Sequence, residues 1–451
     1  MNDPTDSPFL EPGHTYATVT DQISSIVLTE RTPRFWWIGF GAASLLVLVF
    51  IVSVAYLFLA GVGIWGINIP VAWGVAIINM VWWAGIAHAG TLISALLLVL
   101  RQYWRTSISR MTEAMTLFAA ATGALFPLLH LGRPQFFYYI FPYPNTMGLW
   151  PQFRSPLVWD VFAILAHTII PFLFFYLALI PDLATLRDRA SVPFRRKLFN
   201  VLALGWRGSA RHWHHFETAY FLVAVLVIPL VVLLHSVISY TFAISIVPGW
   251  HATIFPPHFV AGAVLSGFAM ILTIAILLRV FYRLEDFITL RHLDNMAKVM
   301  LGASLLVAYG YLVEIFMAWY SGNISEISIY ADRFTGVYAP VLWAFFALSL
   351  LLPQALWSQR IRTNMPLLFG ISILINVGMW LQRFMIVVTS LSQDYLPSSW
   401  GTYAPTLWDW SLFAGTIGLF IVLLFLFVRF LPVISIFELR ELVAEQRGDA
   451  K

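Results

Sequence analysis

Two side chains able to trade protons with a greasy substrate bracket the stretch Phe126–Asp160: the imidazole of His130 and the carboxylate of Asp160. Around them stand Phe136, Phe137, Tyr138, Tyr139, Phe141, Tyr143, Trp150, Phe153 and Trp159. Imidazole takes up a proton in the physiological range, and a carboxylate beside it makes a coupled acid–base pair. Set in aromatic surroundings, such a pair suits a lipophilic substrate that must give up or take protons. The plainer alternative is an interfacial histidine and an aspartate favouring a helix N-terminus.

Other titratable groups sit in apolar runs. His167 follows Asp160 by two helical turns and shares its face, where it can relay protons or bond a neighbour. His88 lies deep in one run, and His235, His258, Glu314, Arg383 and Asp409 lie toward the outer ends of theirs. Charge at membrane depth is costly and is usually paired or functional. A Glu314–Arg383 or Asp409–Arg383 ion pair is therefore expected, and His88, His235, Glu314 and Asp409 are candidates for a proton path. Arg211-His212-Trp213-His214-His215-Phe216-Glu217 invites a metal reading, yet it closes a basic loop and reads better as an interfacial anchor. No run carries two histidines about a dozen residues apart, so no haem is expected in this chain.

These groups are positioned by membrane helices. Of 451 residues 60% are hydrophobic and only 11% charged, against about 25% in soluble domains. Net charge is +4, but the basic residues are scattered over loops, which argues against nucleic-acid binding. There is no cysteine, so disulfides and thiolate-held iron–sulfur clusters are excluded within the chain. No metal centre is expected either.

Apolar runs able to cross about 30 Å of hydrocarbon fall near 35–60, 71–100, 112–131, 157–180, 216–241, 257–282, 297–319, 338–357, 365–390 and 407–431. The expected fold is all-α with ten spans, flanked by a polar arm over 1–33 and a tail over 433–451. The arm lacks the features of a cleavable signal, and Phe437 to Gln446 read as an amphipathic helix. Even-numbered connections hold sixteen Lys and Arg, odd-numbered ones only Arg133, Arg154 and Arg333. The positive-inside rule puts both termini in the cytoplasm and His130 with Asp160 on the opposite side. Pro156-Leu-Val-Trp159 is echoed by Pro340-Val-Leu-Trp343, and Gly90-Thr-Leu-Ile-Ser94 by Gly262-Ala-Val-Leu-Ser266. Both echoes are offset by four spans, which suggests two four-helix units, spans 2–5 and 6–9, with spans 1 and 10 peripheral.

Several runs carry a resemblance: Trp83-Ala-Gly-Ile-Ala-His88-Ala-Gly90-Thr91, His130-Leu-Gly132-Arg133-Pro134, Phe141-Pro-Tyr-Pro-Asn145, Phe153-Arg-Ser-Pro-Leu-Val-Trp-Asp160, Ala318-Trp-Tyr-Ser-Gly322 and Asn376-Val-Gly-Met-Trp380. From about Thr32 to Pro432 the chain resembles the NrfD/polysulfide-reductase-type (PsrC-like) membrane quinone subunits, and more narrowly the larger NrfD-like subunit (ActC) of bacterial alternative complex III. The resemblance implies a quinol-oxidising subunit of the bacterial inner membrane, using menaquinol or ubiquinol. It implies an iron–sulfur subunit on the periplasmic side, multihaem and monohaem cytochrome c subunits and a second NrfD-like subunit as partners. It places His130 and Asp160 at the quinol; Arg133, Phe136, Tyr139, Trp159, His167 and Arg383 are the further residues expected to line the site. Two other readings are a structural or proton-conducting paralogue without a working site, and a secondary transporter. Parallel echoes and the lack of matched Gly/Pro breaks weigh against transport.

Overall fold

Apolar chain in hydrocarbon must satisfy its own backbone, and a helix does so within one segment. The computed structural model describes residues 8–29, 31–140 and 156–447, and among these it is helical without a strand. Ten helices are long and apolar enough to span a membrane: Arg34–Ala60, Val75–Val99, Ser109–His130, Pro156–Arg189, Ala210–Ala243, Phe255–Phe281, Leu290–Ser321, Ala339–Trp357, Met365–Ser392 and Leu407–Phe430. The chain is a multi-pass integral membrane protein.

The second, sixth and ninth spans are the most enclosed, and the first faces outward along most of its length. The second packs on the third, fifth and sixth, and the fourth packs on the third and fifth. The sixth packs on the seventh and ninth, the eighth on the ninth, and the first on the tenth. Where the second and sixth cross, a Cβ on Gly267 would lie 2.0 Å from the Cβ of Ala89, so only glycine allows that approach. The third span ends at His130 because Gly132 turns the chain with φ +67°, beyond the reach of most side chains.

The helices are not uniform. The fourth runs through Pro171 and Pro181, and the fifth through Pro229. The eighth and ninth widen into π turns at Phe346–Leu351 and Met385–Thr389. Irregular turns therefore occur in spans four, five, eight and nine, where the sequence leads one to expect no matched break.

Both termini meet on one face, called the terminal face below. A helix over Tyr16–Leu28 packs against another over Ile436–Arg447. The second of these is anchored by buried carboxylates. Asp182 of the fourth span accepts the N–H groups of Ile436 (3.3 Å) and Phe437 (3.2 Å), and Arg110 Nη2 at 2.8 Å. Glu438 accepts from Arg105 Nη1 at 2.5 Å and Ser109 Oγ at 2.9 Å.

Candidate functional site

On the far face His130 closes the third span. Its ring lies parallel to that of Trp65, with centroids 6.1 Å apart, and its Nδ1 has no hydrogen-bond partner. Asp160 sits near the start of the fourth span, half-buried, with Oδ1 likewise unpartnered. Neither a hydrogen bond nor an ion pair joins the two side chains. Asp160 instead shares a cavity of about 30 Å³ with His167, His88, Met80, Ala84 and Gly123. That volume holds a water or two and no aromatic ring.

Two helical turns separate Asp160 from His167, about 10 Å along the axis and on the same face. His167 is met there by His88 of the second span and His235 of the fifth. Ring centroids are 3.7 Å apart for His88–His167 and 4.8 Å for His88–His235. All three rings are buried. The His88 Nδ1–H donates to the Ala84 carbonyl at 2.5 Å, and the His235 Nε2–H to the Phe259 carbonyl at 2.9 Å. The second nitrogen of each of these rings is unpartnered, and both nitrogens of His167 are unpartnered too. Pro171 adds another acceptor, since its missing N–H leaves the backbone carbonyl of His167 without a helical donor.

Across the sixth span a second polar group fills the outer half of spans six, seven and nine. His258 Nδ1 meets Glu314 Oε1 at 2.5 Å, and Tyr330 donates its hydroxyl to Glu314 Oε2 at 3.3 Å. Gln382 Nε2 donates to His258 Nε2 at 3.2 Å, so the ring proton lies on Nδ1 and points at Glu314. Tyr330 lies outside the spans, and burial followed by the Glu314 carboxylate pushes its phenol well above the ordinary value, keeping it a donor. Glu314 forms one wall of a cavity of about 430 Å³, with Glu326, Asn323, His251 and Tyr395 at its rim.

The expected partners of Arg383 are corrected by this geometry. Glu314 is taken by His258, and Asp409 serves the start of the tenth span, accepting from Thr406 N at 2.9 Å and Gly66 N at 3.0 Å. Arg383 is buried with its guanidinium 4.5 Å from the ring centre of Phe259, and Nη1 is unpartnered. It stands between the two groups: a Cβ on Gly262 would come within 3.3 Å of Arg383 Nη2 and 3.6 Å of Gln382 Oε1.

Of the expected quinol-lining residues, Phe136 and Trp159 are exposed on the outer rim, as is Arg133. The Tyr139 side chain and residues 141–155 fall outside the described residues. Sequence reasoning missed Tyr330 as a partner of Glu314 and Gln382 as a partner of His258, the Tyr311 ring set edge-on 4.9 Å from that of His258, and Glu113. The last accepts from Ser94 Oγ at 2.7 Å and Tyr220 at 3.2 Å. An acidic and a basic residue one turn apart inside an apolar run, Arg110 and Glu113, were the available signal. Among the described residues no three His, Asp or Glu are grouped to hold a metal.

Residues 65–393 match the family described as Polysulphide reductase, NrfD. A curated relative from Halobacterium salinarum, described as a putative membrane subunit of dimethyl sulfoxide reductase, is 26% identical over 256 residues, 55% of this chain. The chain spans about half, 54%, of that relative's length.

Proposed function

The chain belongs to the NrfD family, with most of its length inside the match, and on that premise we propose that it is the quinol-oxidising membrane subunit of a respiratory oxidoreductase of the alternative complex III type. The observation that carries the reading is Asp160: a carboxylate oxygen left unpartnered in a cavity it shares with His88 and His167, whose rings also keep unpartnered nitrogens. A buried carboxylate oxygen normally finds a donor; one left open in a largely apolar cavity, with His88 and His167 on its walls, is poised to take a proton. The quinol ring sits outside the small cavity, among Arg133, Phe136, Tyr139 and Trp159, with one hydroxyl toward Asp160 and the other toward His130. Each turnover breaks two O–H bonds. Asp160 and His130 take the protons, and the two electrons leave to an iron–sulfur partner subunit on the far face and then to cytochromes c. His167, His88 and His235 receive protons behind Asp160. Arg383 sits farther in and acts on that file, not on the ring.

The crowding of basic residues on the terminal face supports a cytoplasmic side there, and the alternative complex III type implies the bacterial inner membrane. The same complex holds a second subunit of this fold. Menaquinol and ubiquinol both satisfy the chemistry at Asp160.

The test is quinol oxidation by the intact complex carrying Asp160→Asn or His130→Ala. Each is expected to lower turnover at least 100-fold at unchanged complex abundance. Turnover at the parent rate in both variants overturns the reading. The 30 Å³ cavity favours one other reading, a paralogue whose quinone pocket is closed. A labelled quinone analogue that binds the complex equally in parent and Asp160→Asn chains would support it.

A further inference from the structure

We propose that protons taken at Asp160 leave through the second half of the molecule, along a lateral file that ends at Glu314 in the 430 Å³ cavity. The inference rests on the quinol reading and names the outlet of the same site. Its first support is a line of buried polar atoms without partners. Asp160 Oδ1, both nitrogens of His167, His88 Nε2, His235 Nδ1, Arg383 Nη1, Gln382 Oε1 and the Tyr311 hydroxyl all belong to it. Buried polar groups are nearly always satisfied, and a run of exceptions marks a place that water or moving protons complete. The groups follow one another in space. They run from the cavity beside Asp160 through the stacked histidines to Arg383, whose Nη2 lies 3.9 Å from where a Cβ on Gly85 would stand, one turn before His88, then to Gln382 beside Gly262 and on to His258 and Glu314.

The second support is the end point. Glu314 is 2% exposed, yet it lines the larger cavity, whose rim of Asn323, Glu326 and His251 is polar and lies on the far face. Its partner His258 is built to pass a proton. Nδ1 donates to Glu314, and rotation of the Gln382 amide brings its unpartnered Oε1 to Nε2, where it accepts from a ring protonated at both nitrogens. Loss of the Nδ1 proton to Glu314 leaves the ring as its Nε2–H tautomer, the acid releases its proton to the cavity, and reorientation of the ring restores the resting arrangement before the next transfer. Arg383, fixed over Phe259, is a positioning residue that stands beside the file and does not itself carry the proton.

Three variants in the intact complex decide it. Glu314→Gln is expected to slow quinol oxidation at least tenfold with quinone-analogue affinity unchanged. Formate or azide, small weak acids that enter the cavity, should restore turnover toward the parent, and Glu314→Asp should retain most of it. Because the chain has no cysteine of its own, Glu314→Cys can be probed with a membrane-impermeant thiol reagent and should react from the far face only. Turnover of Glu314→Gln within twofold of the parent, failure of weak acids to rescue it, or no labelling of Glu314→Cys from the far face overturns the outlet. If Asp160→Asn abolishes turnover and Glu314→Gln does not, the outlet alone fails. If Asp160→Asn leaves turnover intact, the quinol reading fails first.

Discussion

The two faces of this membrane protein bury the same kinds of charged group and treat them in opposite ways. On the terminal face Asp182 and Glu438 are at most 1% exposed, and each is held by an arginine and by further donors. On the far face Asp160 keeps an empty oxygen, three imidazoles keep free nitrogens, and Arg383 has no carboxylate. A buried ion pair loses much of its attraction to the cost of leaving water, but removing one partner is severe. An unpartnered buried group already bears that cost. The contrast teaches where to look for chemistry: carboxylates held by arginine here fasten helices, and on the proposed reading the buried polar atoms left without partners serve protons.

Substitutions can break or sharpen that contrast. The largest loss is expected from Asp182→Ala, which strands Arg110 and two backbone N–H groups of the C-terminal helix. It should cost about 3–5 kcal/mol, visible as a lower Tm in detergent and as earlier proteolysis after residue 432. Glu438→Gln keeps the shape but leaves Arg105 without its counter-charge, and should cost about 1–3 kcal/mol by the same assay. Asp409→Ala removes half of the Thr406 capping box on the tenth span, worth about 1 kcal/mol. Asp160→Asn should shift Tm least, within about 0.5 kcal/mol of zero or toward stability, because no partner is lost. If Asp160→Asn destabilised as much as Asp182→Ala, the distinction between fastening and working charges would fall.

Hydropathy makes the ten spans legible because the bilayer demands long apolar helices and little else at that scale. Their ends are less legible: the fourth span reaches Arg189, where the expected span stops near residue 180, since amphipathic turns beyond the hydrocarbon carry no hydropathy signal. His167, His88 and Asp160 are all marked by their polarity within apolar runs, yet which of them meet is not legible. Facing across spans depends on helix rotation, set by small contacts such as Gly267 on Ala89. Loop adjacency suggests His130 with Asp160. The ring of His130 turns to Trp65 instead, a residue of the loop before the second span, beyond the reach of any local pattern. Cost alone assigns Arg383 a carboxylate; the structure gives it an aromatic face and the free edge of the file.

Pro171 stands between the open carboxylate of the fourth span and its pinned end at Asp182. A helix with one foot bolted down and a missing rung partway up bends at that rung more readily than elsewhere. On the proposed reading, the upper segment that bears Asp160 leans outward at Pro171 to admit a ring and leans back once it has gone, with the pinned foot left in place.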